Sequence, residues 1–369
     1  TGDECRRTCS YTTTAWRMGI MADKIRVGII GLGRAGWGMH TNEIDRFKEM
    51  FEITGCFDVL PERMAKMAER YPGCKSHDSA QELYTATDVD LIAVAIRSPE
   101  HVAAAVEALA TGKYVLIEKP LALNYAEVLK LKAAAEKHPG KLFCRHNRRL
   151  EAAFLHVREI IASGKLGEVF EIKLCRHNYQ RRNDWQSLKG CGGGQLNNWG
   201  PHLIDHALQF LECPVESVWG DMKLVAASGD AEDHFKAVIR GTNGRIIDVE
   251  VSGGVAIPSP VYAVYGKRGT LVAYNEKELK LKYLDVAKCS PPPVATGDTP
   301  PMAGGFGSAD GLVWIEETVP VAPSSGDTVS DLYKYIYLAI REGRPFPVKN
   351  DEAFEVVRVT EMIRKNSKF

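Results

Sequence analysis

Two kinds of hydrophobic pattern order this chain. Over the first 150 residues, short and nearly unbroken apolar runs alternate with longer stretches of helical period. The runs Ile25 to Ile30, the next one ending in Asp58, Asp90 to Ile96, Tyr114 to Ile117 and Leu142 to Arg145 read as strands covered on both faces. Helices are expected between them at Arg34 to Met50, Pro61 to Tyr71, Glu100 to Thr111 and Tyr125 to His138. Pro61 sits at a permitted early helical position and Gly112 closes the third helix. Regular strand–helix alternation implies right-handed crossovers and a doubly wound parallel sheet.

The pattern changes after a helix at Leu150 to Ser163. Val169 to Arg176, Val218 to Ala226, Phe235 to Arg240, Arg245 to Ser252, Val261 to Gly266, Thr270 to Tyr274 and Leu279 to Leu284 alternate apolar with polar. That is the mark of a large, mostly antiparallel sheet with one face covered. A glycine run, Gly192 to Gly194, leads into a helix that ends near Leu211. Pro291 to Gly311 reads as a mobile loop near the sheet edge, and helices close the chain at Thr328 to Glu342 and Asp351 to Lys365. The fold class is therefore α/β: a dinucleotide-type domain over residues 21–147 and a second α/β domain over 148–369 with an open sheet. Residues 1–20 carry Arg6-Arg7 but no apolar core, so a disordered extension or expression remnant is expected there, with Met21 the natural start.

Chemistry enters at the first strand. Gly31, Gly33 and Gly36 follow it at G-x-G-x-x-G spacing, around Arg34 and Ala35. Such a turn supplies a tight bend, close main-chain approach to a diphosphate, and room for the helix on the sheet. Asp58, 22 residues past Gly36, suits a ribose hydroxyl and argues for NAD; Arg63 keeps NADP open. Ser98, Pro99, His101, Glu118 and Asn147 fall at carboxyl ends of strands or just beyond, where such sheets take their cofactor. Lys119 stands where the nicotinamide would lie, and burial beside positive charge would bring its amine toward neutrality.

Composition narrows the partners. Lys plus Arg and Asp plus Glu both number 47, which leaves no net field for nucleic acid or an anionic membrane. Nine cysteines without regular spacing fit a reduced, cytoplasmic protein, and no apolar run approaches a membrane span.

Together the glycine turn, Glu118-Lys119-Pro120, the block Gly192 to Asp205, Gly266-Lys-Arg-Gly269 and Gly343-Arg-Pro-Phe-Pro-Val348 resemble the Gfo/Idh/MocA family, the glucose-fructose oxidoreductase and inositol dehydrogenase group. The resemblance implies a Rossmann domain and a C-terminal sheet that mediates homodimers or homotetramers. It also implies hydride exchange between NAD(P) and a hydroxyl or ketone of a sugar, cyclitol or related polyol. Lys119 and His202 match its catalytic pair, and the Lys119-Pro120 bond would be cis. Asn198 stands where that pattern has aspartate; an amide cannot relay a proton, so proton transfer falls to Lys119 with His202 as partner or alternate base.

Asn198, Asp205, Trp185 and Arg182 are the expected substrate contacts. Arg176, Arg181 and Arg182 would suit an acidic or phosphorylated substrate. Trp199 with Trp185 would offer a flat wall to a sugar ring, while Arg148 and Arg149 suit interdomain ion pairs. His206 is expected to pack, and no metal is expected at His202, Asp205 and His206. Two rival functions remain: a dinucleotide-binding sensor without turnover, and NAD-dependent elimination or glycoside cleavage with no net redox change.

Overall fold

The structure, a computed structural model, describes residues 23–292, 294–301, 307, 309 and 311–369. The extension expected at 1–20 and part of the loop at 291–311 lie outside the described residues.

The first sheet has six parallel strands: β1 (Ile25–Ile30), β2 (Phe51–Phe57), β3 (Lys75–Ser76), β4 (Leu91–Val94), β5 (Tyr114–Ile117) and β6 (Leu142–Cys144). Their order is β3-β2-β1-β4-β5-β6, so the chain winds outward both ways from β1. A crevice opens beyond the carboxyl ends of β1 and β4, where the winding reverses. All four residues of β4 are buried, as their unbroken apolar run requires. The crossings are α1 (Thr41–Arg46), α2 (Pro61–Arg70), α3 (Ala80–Thr85), α4 (His101–Ala110) and α5 (Tyr125–Lys137). Asn124 caps α5 by accepting from the Glu127 amide at 2.9 Å.

One expectation needs correction here. The helix foreseen at Arg34 to Met50 is divided: Arg34–His40 is wound as a wide π-helix, Thr41–Arg46 is α-helical, and the chain turns at Phe47. The Thr41 amide donates to the Gly36 carbonyl, five residues back. The short β3 and α3 escaped the pattern because they have only 2 and 6 residues.

The second sheet has eight strands: β7 (Val169–His177), β8 (Val215–Lys223), β9 (His234–Gly241), β10 (Ile246–Ser252), β11 (Tyr262–Gly266), β12 (Gly269–Ala273), β13 (Glu278–Leu284) and β14 (Trp314–Pro320). They are ordered β14-β13-β12-β11-β7-β10-β9-β8, and β7 with β10 is the parallel pair in an otherwise antiparallel array. The edge strand β14 is unexpected; its residues alternate between exposed and half-buried, with Glu316 and Glu317 facing lysines instead of a core. One face packs against α6 (Ala152–Ala162) and α8 (Gly200–Leu211), which follows the short α7 (Gln195–Asn198). The sheet also leaves Phe170 and Trp219 exposed.

The last two helices, α9 (Leu332–Glu342) and α10 (Asn350–Asn366), follow the second sheet in sequence and pack on the first. In α9, Leu332, Tyr333 and Ile336 enter the core of the first sheet beside Ile25 and Phe51. α10 serves both sheets. Ala353, Phe354 and Val357 pack on the first, while Val356, Val359 and Ile363 pack on the second, as two apolar faces of one helix allow. The chain thus returns to its first unit after building the second.

Candidate active site

A cleft of about 1670 Å³ runs past the carboxyl ends of β1, β2, β4 and β5 and under the loop that precedes α7. The three glycines at its floor have distinct tasks. Gly31 adopts a φ of +88°, and a Cβ there would stand 2.6 Å from the Ala95 carbonyl oxygen. At Gly36 a Cβ would come within 1.9 Å of the Gly31 oxygen, so the turn closes only without one. Gly33 differs: a Cβ would meet nothing nearer than 4.0 Å, and the residue borders the cleft. That vacant approach to the main chain is the cradle a diphosphate needs.

Arg34, Ala35, Asp58, Ser98, His101, Glu118 and Asn147 also border the cleft. Asp58 accepts from the Leu32 amide at 2.6 Å and the Leu60 amide at 2.9 Å, with Arg63 at 3.2 Å. A carboxylate has further lone pairs, so a ribose hydroxyl still has acceptors. His101 is held between the Pro120 and Ile96 carbonyls at 2.8 and 3.1 Å, and Asn147 donates to the Val329 carbonyl at 3.3 Å. Gly36 lies beneath the turn and Pro99 is exposed, and neither is among the residues that border the cleft.

Glu118, which borders the cleft, also sits in a buried ion-pair network. Its carboxylate lies 2.7 Å from Arg145 Nε and 3.2 Å from His40 Nε2, and it accepts from the Lys119 amide at 3.0 Å. Arg145 also grips Glu43 through two bonds of 2.9 and 2.6 Å, and His40 Nδ1 lies 2.7 Å from the Tyr333 hydroxyl of α9. Burial pushes the Glu118 carboxyl up, yet Arg145 and His40 more than offset it and hold it low. This buried network fixes the strand end that carries Lys119. It was missed because its members are scattered along the sequence.

Lys119 reaches across the cleft. Its Nζ donates to the Asn198 main-chain oxygen at 3.0 Å and to Asn198 Oδ1 at 3.3 Å. The Lys119-Pro120 bond is cis. Burial, opposed by Glu118 and assisted by Arg34, Arg148 and Arg182, brings the amine down to about 8. His202 lies on α8 and borders the same cleft; burial first, then Lys119 and Arg148, depress its pKa well below the ordinary value, so the ring is neutral at pH 7. Its buried Nδ1 has no hydrogen-bond partner among the described residues. A lysine amine and a neutral imidazole thus face one space, with Asn198 between their elements.

Trp185, Arg182 and Asn198 border the cleft, joined by Trp199. Arg148 is stacked 4.3 Å from the Trp199 ring centre and paired with Glu151. Asp205, expected as a substrate contact, does not border the cleft. It is 1% exposed and bound by Arg149 at 2.5 and 2.9 Å, and the same arginine reaches Glu352 of α10 at 2.5 Å. Although Asp205 is one turn from His202, the buried guanidinium holds its carboxylate out of the cleft. His206 stacks on Phe154 with ring centres 4.0 Å apart, a packing role. No group of three or more His, Cys, Asp or Glu that could hold a metal occurs among the described residues. No helix among them is long and apolar enough to cross a membrane.

Comparison with known proteins agrees with this geometry. Residues 25–146 match the profile described as "Oxidoreductase family, NAD-binding Rossmann fold", and residues 154–272 match the "GFO/IDH/MocA C-terminal domain". The uncharacterized oxidoreductase YdgJ of Escherichia coli (strain K12) is 28% identical over 93% of this chain and 96% of its own length. The scyllo-inositol 2-dehydrogenase (NADP(+)) IolW of Bacillus subtilis (strain 168) is 26% identical over 94% of each chain. Among solved structures, an NAD-binding protein from Listeria innocua superposes with a TM-score of 0.78 at 24% identity, covering 94% of this chain and 98% of its own. GenD2 from gentamicin A biosynthesis, in complex with NAD, does so at 0.74 and 22% identity, covering 95% and 96%. From its glycine turn to its second sheet, the chain belongs to the GFO/IDH/MocA oxidoreductase family, with an NAD-binding Rossmann fold.

Proposed function

We propose that the chain interconverts a secondary hydroxyl and a ketone on a sugar, cyclitol or related polyol, with Lys119 as the proton-transferring group. The supporting observation is the Lys119 amine, brought to about 8 and held on Asn198 at the end of the glycine-floored cleft. When bound there, NAD(P) supplies the two-electron acceptor or donor. The residues handle the rest. In the oxidising direction a substrate O–H gives its proton to neutral Lys119 Nζ as the carbinol C–H leaves with its electron pair. His202, neutral and buried, accepts from or donates to the same hydroxyl and orients it. Asn198 positions the amine and offers its own amide N–H to a neighbouring hydroxyl. Asp58 favours NAD, while Arg63 beside it provides for a 2′-phosphate.

Incubation with NAD⁺ or NADP⁺ and a panel of sugars and cyclitols tests this. Net growth of reduced-nicotinamide absorbance with at least one polyol is expected. A product formed without net absorbance change would favour elimination or glycoside cleavage, and binding without any product would favour a sensor. We further infer a cytoplasmic homodimer or homotetramer formed through the second sheet, where Phe170 and Trp219 are 46% and 53% exposed. Light scattering that gives a monomer mass would reject that assembly.

A further inference from the structure

The wall facing Lys119 carries more positive charge than its neighbours neutralise. Four arginines border the cleft here: Arg97, Arg148, Arg181 and Arg182. Two are locked in place. Arg148 is paired with Glu151 and stacked on Trp199, while Arg182 donates to Asp184 at 3.0 Å and to Gln186. Each keeps N–H groups beyond those bonds, since a guanidinium has five donors. Arg97 and Arg181 are exposed and meet no carboxylate among the described residues; Arg97 lies 5.9 Å from the Trp185 ring centre. Asp184 and Glu100 are the acids that border the cleft beside these arginines; Asp184 is bound by Arg182, and Glu100 forms no ion pair with Arg97 among the described residues.

The cofactor does not account for this excess. Its diphosphate belongs at the glycine turn, where Arg34 stands, whereas Arg181 and Arg182 come from the loop before α7. Arg148 and Arg182 are close enough to Lys119 to depress its pKa, which places their charge at the reacting end. A neutral polyol would leave Arg97 and Arg181 without a carboxylate partner beside the cleft. An anionic one would meet forked donors fixed by Glu151 and Asp184.

We propose that the polyol taken by this site carries an anionic group, a carboxylate or a phosphate monoester, seated among Arg97, Arg148, Arg181 and Arg182. The inference rests on the polyol-oxidoreductase reading, and its test is a binding measurement independent of turnover. The full chain saturated with NAD⁺ is titrated calorimetrically with glucose, glucuronate and glucose-6-phosphate. At least one charged sugar should bind about tenfold or more tightly than glucose, with affinity that falls as salt rises. Whether glucuronate or glucose-6-phosphate gains decides between the two anions. The double variant Arg97→Ala/Arg181→Ala should reduce that advantage about tenfold or more while the thermal midpoint stays put. Equal affinity for charged and neutral sugars, or an advantage that the double variant leaves intact, overturns the proposal. A charged sugar that binds selectively but never changes nicotinamide absorbance would uphold it and count against the redox reading alone.

Discussion

Lys119 Nζ donates to both oxygens of Asn198, the main-chain oxygen at 3.0 Å and Oδ1 at 3.3 Å, so one residue of the second unit takes two N–H bonds from a strand end of the first. A neutral amine has two N–H groups and one lone pair. With both N–H groups occupied, the remaining position is the lone pair when neutral and a third N–H when charged. Asn198 therefore leaves one site on the amine free of its two oxygens, and in the proposed reaction that site exchanges the proton with substrate.

That arrangement predicts a pH dependence. Lys119 is brought to about 8. In the proposed reaction the neutral form takes the hydroxyl proton, and that form grows as pH rises through this value, so kcat/KM for alcohol oxidation should climb and level off above it. Ketone reduction needs the ammonium and should fall over the same range. Lys119→Met should lower turnover by about a hundredfold to ten-thousandfold and abolish that limb, with cofactor affinity nearly unchanged. Initial rates across pH in both directions check this, and an unaltered profile in the variant would remove Lys119 from the reaction.

Asn198→Asp should shift the same profile. A carboxylate in contact with the ammonium favours its charged form, so the amine should move up by about one unit or more. The oxidation limb should move to higher pH by the same amount, while ketone reduction persists further into base. A limb that stays in place would mean the profile reports another group. On this account asparagine in place of aspartate is a tuning of the lysine, compatible with catalysis.

Much of this was legible in the chain because it is local. Unbroken runs such as Leu91–Val94 can be buried only as central strands, and the three glycines carry their spacing within six residues. Lys119 and His202 could be singled out from the motifs around them. What was lost depends on long-range partners. Asp205 has the helical spacing of a site residue, and only Arg149, 56 positions away, takes it out of the cleft. The Glu43, Glu118, Arg145 and His40 cluster draws on three separate segments plus Tyr333, so no window of sequence contains it. The same holds for α9, whose apolar face fits either sheet until Ile25 and Phe51 settle the matter.

The glycines of the turn should separate folding from cofactor binding. Gly36→Ala places a methyl where the Gly31 oxygen already stands, at 1.9 Å, so the turn must open. A lowered thermal midpoint is expected even without ligand, at a cost of about 1–3 kcal/mol or more. Gly33→Val meets no protein atom closer than 4.0 Å at its Cβ but fills the approach to the main chain. Its apo midpoint should match the parent, while NAD affinity drops at least about tenfold. Equal affinity for NAD in parent and Gly33→Val would place the dinucleotide elsewhere.

The buried network behind Lys119 offers the sharpest stability test. Arg145 is 2% exposed and neutralises two carboxylates, Glu43 at 2.6 Å and Glu118 at 2.7 Å. Arg145→Leu strips Glu43 and Glu118 of their shared guanidinium while His40 and the Lys119 amide still face Glu118, and removing one side of a buried pair costs about 3–5 kcal/mol. In the parent, burial raises Glu118 and Arg145 with His40 outweighs it, so its folded pKa is depressed and its stabilisation is lost as pH falls below the ordinary glutamate range. In the variant burial of Glu118 is less opposed, so its carboxyl moves up and acidification relieves it by protonation. The stability gap between parent and variant should therefore be widest near neutral pH and narrow at about pH 5. Urea unfolding of both proteins at the two pH values measures that gap, and a gap that widens toward acid would show that the arginine is not what holds Glu118 charged.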